Sequence, residues 1–407
     1  MNKAYSIVWN SSRQAWVVAS ELARGHGFVL AKNTLLVLTV ASTVGNAFAQ
    51  NVSSGVVSNG VVSSGETQVV YSNGQTSNAT VNSGGIQNVN NGGKTTSTTV
   101  NSSGAQNVGN SGTAISTIVN SGGVQRVSSG GVTSATNLSG GAQNIYNLGH
   151  ASSTIIFNGG NQTILSGGIS EDTNISSGGQ QRVSSGGVAS GTTINSSGTQ
   201  NILSGGSTSA TVVNSGGFQR VNSGGTATGT QLSGGTQNVS SGGSAIKTSV
   251  YNSGVQTVYA GATITDTTVN SGGKQNISSG GSASGTVVNT SGTQNIYSGG
   301  SAVSTHISSG GDQRVSSGGN ASGTVVSSGG FQRVNSGGTA TGTQLSGGTQ
   351  NISSGGKASA TEVYSGGKQN IYAEGHSENA IINDGGNQYI YSNGEATGAT
   401  VNTSGFQ

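Results

Sequence analysis

The sequence predicts an all-β fold: a parallel β-helix, or β-solenoid, of about 18–19 coils, preceded by a helical signal peptide. Three observations carry this reading. Glutamine recurs from Gln68, Gln87, Gln106 and Gln125 through to Gln388 and Gln407, with fifteen intervals of 19 residues and three of 18. Val or Ile stands two residues after the Gln in all eighteen complete repeats, and Val, Ile or Leu stands thirteen residues after it. Finally, there are 74 glycines and neither proline nor cysteine, and Ser-Gly-Gly or Asn-Gly turns follow the strand segments. Self-similarity at a short fixed period is the mark of stacked coils. A stack of like coils offers no single pocket, so function is expected along a surface.

The first element is the leader, residues 1–49. Residues 33–49 read NTLLVLTVASTVGNAFA, with Lys32 before an apolar core and Ala47-Phe48-Ala49 as an A-x-A cleavage site ahead of Gln50. The apolar run is short for a membrane span. The preceding residues carry Met1-Asn2-Lys3, Tyr5, Trp9-Asn10, Trp16-Val17-Val18, Ser20-Glu21-Leu22 and Arg24. This pattern resembles the extended signal peptide region of type V secretion proteins. The resemblance implies export through the inner membrane and then across the outer membrane. Absence of cysteine fits a chain that leaves the cytoplasm.

Charge supports the division. The leader holds Lys3, Arg13, Arg24 and Lys32 against Glu21. Removing these from the 14 basic and 11 acidic residues leaves ten of each, so the remainder is neutral. A neutral remainder predicts no field for nucleic acid or anionic lipid.

Residues 50–67 follow as an irregular N-terminal cap, with Val56-Val57 and Val61-Val62 as an imperfect first coil. Residues 68–407 are the repeat proper. Alternation across a strand puts each Gln and the aliphatic two residues later on one face, predicted inward. Gln87 with Val89, Gln219 with Val221 and Gln275 with Ile277 are examples, and Val100 belongs to the second aliphatic column. Eleven residues after the Gln stands Thr in fifteen repeats and Ala in three, Ala79, Ala380 and Ala399, again inward. Small residues eight positions after the Gln form a short third side. The glutamines are expected to form an internal amide ladder, as in cross-β stacks. At a coil spacing of about 4.8 Å, eighteen coils make a rod of roughly 85 Å. The three 18-residue intervals each lose one turn residue, giving Leu138-Ser139-Gly140, Leu232-Ser233-Gly234 and Leu345-Ser346-Gly347. GFQRVNSGGTATGTQLSGGTQN occurs twice, from Gly217 and from Gly330, which points to duplication of a six-repeat block.

The unit SGG-x-Q-x-V-x-SGG-x-A-x-x-T-x-V-N resembles the repeat of the AIDA (adhesin involved in diffuse adherence) family of self-transporting adhesins over nearly all of residues 55–407. The resemblance implies a surface-displayed passenger that adheres to host cells, self-associates and promotes biofilm growth. It also implies heptose on repeat Ser or Thr, added by a cytoplasmic heptosyltransferase, and passage through the outer-membrane assembly machinery. Such proteins end in a membrane-spanning β-barrel. This chain stops at Gln407 in mid-repeat without an alternating amphipathic strand series, and reads as a truncated passenger.

Enzymes also use parallel β-helices, and need convergent carboxylates or a base on neighbouring coils. The acids here are scattered, and Glu171 and Asp172 are adjacent, hence on opposite faces of a strand. His150, His306 and His376 fall in different coils without metal-ligand spacing, and no calcium-binding nonapeptide recurs. The prediction is therefore no catalysis, no metal and no cofactor. Ice binding ranks low because the Thr column is predicted inward.

The better-placed chemistry is aromatic and basic. Arg126, Arg182, Arg220, Arg314 and Arg333 each follow a Gln, and Phe218 and Phe331 each precede one. Tyr71, Tyr146, Tyr259, Tyr297, Tyr372 and Tyr391 stand three residues after a Gln. All fall on the outward face of one strand, a flat strip suited to carbohydrate or protein contact. Identical passengers on neighbouring cells and a host protein or glycan are the expected partners, with no nucleic acid. A passive stalk is the alternative function, and a polysaccharide-acting enzyme the third.

Overall fold

The computed structural model describes residues 5–10, 15–20, 49–316 and 318–407, which belong to two units, 1–44 and 45–407. In the first unit, β1 (Tyr5–Asn10) pairs antiparallel with β2 (Ala15–Ser20), Val8 opposite Val17 and Trp9 opposite Trp16. Over these residues the leader is extended, where a helix was expected. The runs Ile7-Val8-Trp9 and Trp16-Val17-Val18 are β-branched and aromatic, types that favour pleated pairing over helix. The apolar core and Ala47-Phe48 lie outside the described residues.

The second unit is a three-sided parallel β-solenoid. Its first coil comprises β3 (Ala49–Val52), β4 (Val56–Ser58) and β5 (Val61–Val62). These stack in parallel on β6 (Thr67–Val70), β7 (Gln75–Ser77) and β8 (Thr80–Val81), with Gln50 over Gln68, Val57 beside Thr76 and Val62 beside Val81. Residues 50–67 are thus a coil in full register, not an irregular cap. Gln50, the residue after the cleavage motif, already occupies the glutamine position. The pattern continues to Asn387–Ile390, Glu395–Thr397 and Thr400–Val401, giving three sheets of nineteen strands each. The third side, foreseen as a short run of small residues, is a continuous sheet.

The interior explains the invariant columns. Val89, Val100, Val221, Ile277 and their counterparts are fully buried, as are Gln87, Gln219 and Gln275. Each glutamine Nε2 donates to the Oε1 of the glutamine one coil earlier, from Gln68 to Gln50 at 2.6 Å through Gln219 to Gln200 at 2.8 Å to Gln407 to Gln388 at 2.7 Å. The threonine eleven residues on donates to the same Oε1, as Thr98 does to Gln87 at 3.3 Å and Thr230 to Gln219 at 3.1 Å. A buried amide oxygen has two lone pairs, and this pair of donors fills them. Where Ala380 replaces the threonine, Ser377 supplies the hydroxyl to Gln369 at 3.1 Å.

Turns explain the glycine pairs. The first glycine takes a left-handed φ, 73° at Gly130. The second passes close under the preceding coil: a Cβ on Gly243 would lie 2.6 Å from the Val221 carbonyl oxygen. The corner between the second and third sheets was not foreseen. There the residue ten after each glutamine is left-handed whether or not it is glycine, with φ of 53° at Ala135, 51° at Asp172 and 55° at Lys247. In the three shortened coils, bridges Asn120–Gly140, Asn214–Gly234 and Ser327–Gly347 close the turn, so the missing residue leaves the strands in phase.

Candidate functional site

The first sheet, built from the strands that carry the glutamines, presents three outward columns: the residues one before, one after and three after each Gln. Cross-coil stacking makes residues 19 positions apart neighbours. Asn107 Nδ2 donates to Asn88 Oδ1 at 2.8 Å, Asn295 to Asn276 at 2.9 Å and Asn370 to Asn351 at 2.8 Å. The arginines interrupt this asparagine column, and Arg126 Nη1 reaches Asn107 Oδ1 at 3.4 Å.

The proposed strip residues all face outward on this sheet, but the structure gathers only some of them. Arg220 lies over the Phe218 ring, 5.6 Å from its centroid, and Arg333 over Phe331 at 5.1 Å. Asp312 is buried between Arg314, whose Nε is 2.7 Å from Oδ2, and Arg333, which contacts Oδ1. Tyr372 and Tyr391 stack with ring centroids 4.8 Å apart and planes 7° from parallel. Arg126, Arg182, Tyr71, Tyr146, Tyr259 and Tyr297 stand singly along the face, Tyr71 and Tyr146 half-buried. The result is an extended strip rather than a pocket.

Sorting the charges by sheet reveals a pattern hidden in the neutral total. The outward face of the first sheet carries Arg126, Arg182, Arg220, Lys274, Arg314, Arg333 and Lys368 against Asp312 alone. The other two sheets and the turns carry Lys94, Lys247 and Lys357 against the nine remaining acids. Seven against one, and three against nine, make a face of net +6 on a rod whose other surfaces sum to −6. The expectation of no attractive field rested on the total and overlooked this segregation. Position within the repeat would have disclosed it, since every cation of the face directly precedes or follows a Gln.

Elsewhere, stacking makes pairs that linear spacing conceals. His150 Nε2 lies 3.2 Å from Glu171 Oε2 and His376 Nδ1 2.9 Å from Glu395 Oε2. Glu171 and Asp172 are both exposed, because Asp172 falls on the left-handed corner and not on a strand. The Tyr364 hydroxyl donates to Glu362, which pushes its pKa above the ordinary tyrosine value. Among the described residues no three His, Cys, Asp or Glu are placed to hold a metal.

Comparison with known proteins agrees with this architecture. Residues 1–50 match the family model of the extended signal peptide of the type V secretion system. Residues 145–198, 295–349, 317–367 and 351–405 match that of the adhesin of bacterial autotransporter system, probable stalk. A 72-residue stretch, 18% of this chain, is 79% identical to the autotransporter adhesin AIDA-I of Escherichia coli, and spans 6% of that protein's length. The chain is also similar to the crystal structure of a TibC-catalysed, hyper-glycosylated TibA fragment. That similarity has 40% identity and a TM-score of 0.58, and covers 75% of this chain and 99% of the fragment.

Proposed function

We propose, from the premise that the chain belongs to the AIDA-type family of autotransporter adhesins, that residues 50–407 are themselves an adhesive surface. The extended signal peptide directs the chain toward the cell surface, and the solenoid presents its first sheet there as a contact face. The observation that carries this reading is the outward strip of Arg, Asn, Phe and Tyr running along nineteen coils. Many weak contacts repeated along such a face sum to avidity without any deep site. Cell adhesion, clumping of displaying cells and biofilm growth follow from that repetition, and no catalytic role is assigned. The exposed turn serines are proposed acceptors for a heptosyltransferase, supported by the hyper-glycosylated TibA relative.

Display on a non-adherent cell tests the reading. Adhesion and clumping are expected with the unchanged chain. Replacing Phe218, Arg220, Phe331 and Arg333 with Ser weakens both while the β-rich spectrum persists. A second reading, a passive stalk, is favoured by the description of the matching family as a probable stalk. It becomes the better one if display changes neither aggregation nor surface binding.

A further inference from the structure

We propose that the outward face of the first sheet binds a linear acidic polysaccharide, one carrying carboxylate or sulfate groups at disaccharide intervals. The inference rests on the adhesive reading and names the chemistry of its partner. Its first support is the segregation of charge, net +6 on this face and −6 elsewhere. A face of one sign on a neutral rod attracts a polyanion locally, and the attraction weakens with salt.

Pitch is the second support. Counted along the glutamine ladder, Arg126, Arg182, Arg220, Lys274 and Arg314 stand three, two, three and two coils apart. At about 4.8 Å per coil these five cations recur every ~10–14 Å. That is the scale of a disaccharide unit, so a chain with one anionic group per unit could meet each of them in turn. Arg333 departs from the spacing, one coil beyond Arg314 and sharing Asp312 with it, and Lys368 follows two coils later. Duplex DNA carries one charge per about 1.7 Å and would leave most of its phosphates unmatched. A second copy of the solenoid does not match this pitch by charge, because five of its acids, Glu362, Glu374, Glu378, Asp384 and Glu395, crowd into the last coils.

The third support is what lies between the cations. Asn201 separates Arg182 from Arg220, and Asn295 separates Arg314 from Asn276, which shares a strand with Lys274. Their amides offer both donors and acceptors to sugar hydroxyls. Phe218 holds the Arg220 guanidinium against its ring, and the exposed Tyr259 and Tyr297 give sugar rings apolar planes to pack on. No carboxylate pairs with Arg182, Arg220 or Lys274 among the described residues.

The test measures binding of the purified exported chain to hyaluronan, with neutral dextran, duplex DNA and anionic phosphatidylglycerol vesicles alongside. Hyaluronan is expected to bind, with affinity falling as salt rises, and dextran is not. The triple variant Arg182→Gln, Arg220→Gln, Lys274→Gln is expected to lose about tenfold in affinity, a modest loss at each of three exposed charges. Lys94→Gln, Lys247→Gln, Lys357→Gln, the same change in net charge on other surfaces, is expected to lose less than about twofold. Circular dichroism checks that both triples keep the solenoid, and Arg182→Lys, Arg220→Lys, which keeps the charge, retains binding. Equal losses in the two Gln triples overturn the proposal, as does tighter binding of DNA or vesicles than of hyaluronan. Displaying cells that adhere while the purified chain ignores hyaluronan overturn it and leave the adhesive reading standing. A chain that binds hyaluronan on cells that do not adhere supports it and overturns the adhesive reading.

Discussion

Removing one rung of the glutamine ladder tests what holds the solenoid together. Gln219 Nε2 donates to Gln200 Oε1 at 2.8 Å, and its Oε1 accepts from Gln237 Nε2 at 2.6 Å and Thr230 Oγ1 at 3.1 Å. Gln219→Leu keeps the bulk and loses the polar atoms. Gln200 Oε1 retains the Thr211 hydroxyl at 3.2 Å, so no acceptor is stranded there. The Gln237 N–H and the Thr230 hydroxyl, both buried, lose their acceptor. Each orphaned group costs about 1–3 kcal/mol, and about 1 kcal/mol returns from the apolar side chain, for a net loss of about 3 kcal/mol. Thr230→Ala instead removes one donor from an oxygen that keeps another, and costs about 1 kcal/mol. Urea unfolding compares the two variants, and hydrogen exchange at neighbouring coils shows whether the loss is local, as nearest-neighbour stacking requires. A shift for Gln219→Leu no larger than for Thr230→Ala would refute the ladder as a source of stability. Gln219→Glu adds a pH readout. Burial raises the carboxyl pKa above its unfolded value of about 4.3. That variant is most stable below the unfolded value and loses stability as pH rises through the folded one.

Five further substitutions probe the backbone and the interior. Gly243→Ala places a Cβ 2.6 Å from the Val221 carbonyl oxygen and is expected to lower the unfolding midpoint by about 2 kcal/mol equivalent. Gly at Ala135, Ala210 and Ala360, whose φ values are 53°, 52° and 50°, relieves left-handed strain, and each change is expected to stabilise by about 0.5 kcal/mol in the same assay. The buried Thr208 hydroxyl has no hydrogen-bond partner, so Thr208→Ala, which copies Ala189 and Ala227 of the adjacent coils, is expected to raise stability by about 1 kcal/mol in thermal unfolding.

Much of the fold was legible because each coil repeats the same constraints. The phases of Gln, Val and Thr showed which side chains point inward, and one contradiction in nineteen copies would have been visible. What the sequence concealed is geometry that side-chain type does not mark. The corner at Ala135, Asp172 and Lys247 is left-handed without glycine, because the next threonine must turn inward to reach its glutamine. The first coil looked irregular because Val56 and Val61 sit at outward positions, while Gln50 keeps the register. The charge pattern of the strip was legible only by phase. Lys274 and Lys368 belong to it as much as the arginines do, although they precede their glutamines where the arginines follow theirs.

The ladder also has a sense. Every amide points its N–H toward the first coil and its oxygen toward the last. An amide turned over alone would set nitrogen against nitrogen on one side and oxygen against oxygen on the other. A turned block of any length would create only the same two faults, one at each boundary. Within the ladder itself the cost therefore depends on the boundaries and not on the block, as with domain walls in a one-dimensional chain of spins, while each turned amide also gives up the threonine hydroxyl that its Oε1 accepted. Agreement among the amides is enforced neighbour by neighbour, without any residue reading the whole. Replacing Gln219 by Leu cuts that chain of enforcement. The coils on either side keep their own order but no longer have to share it.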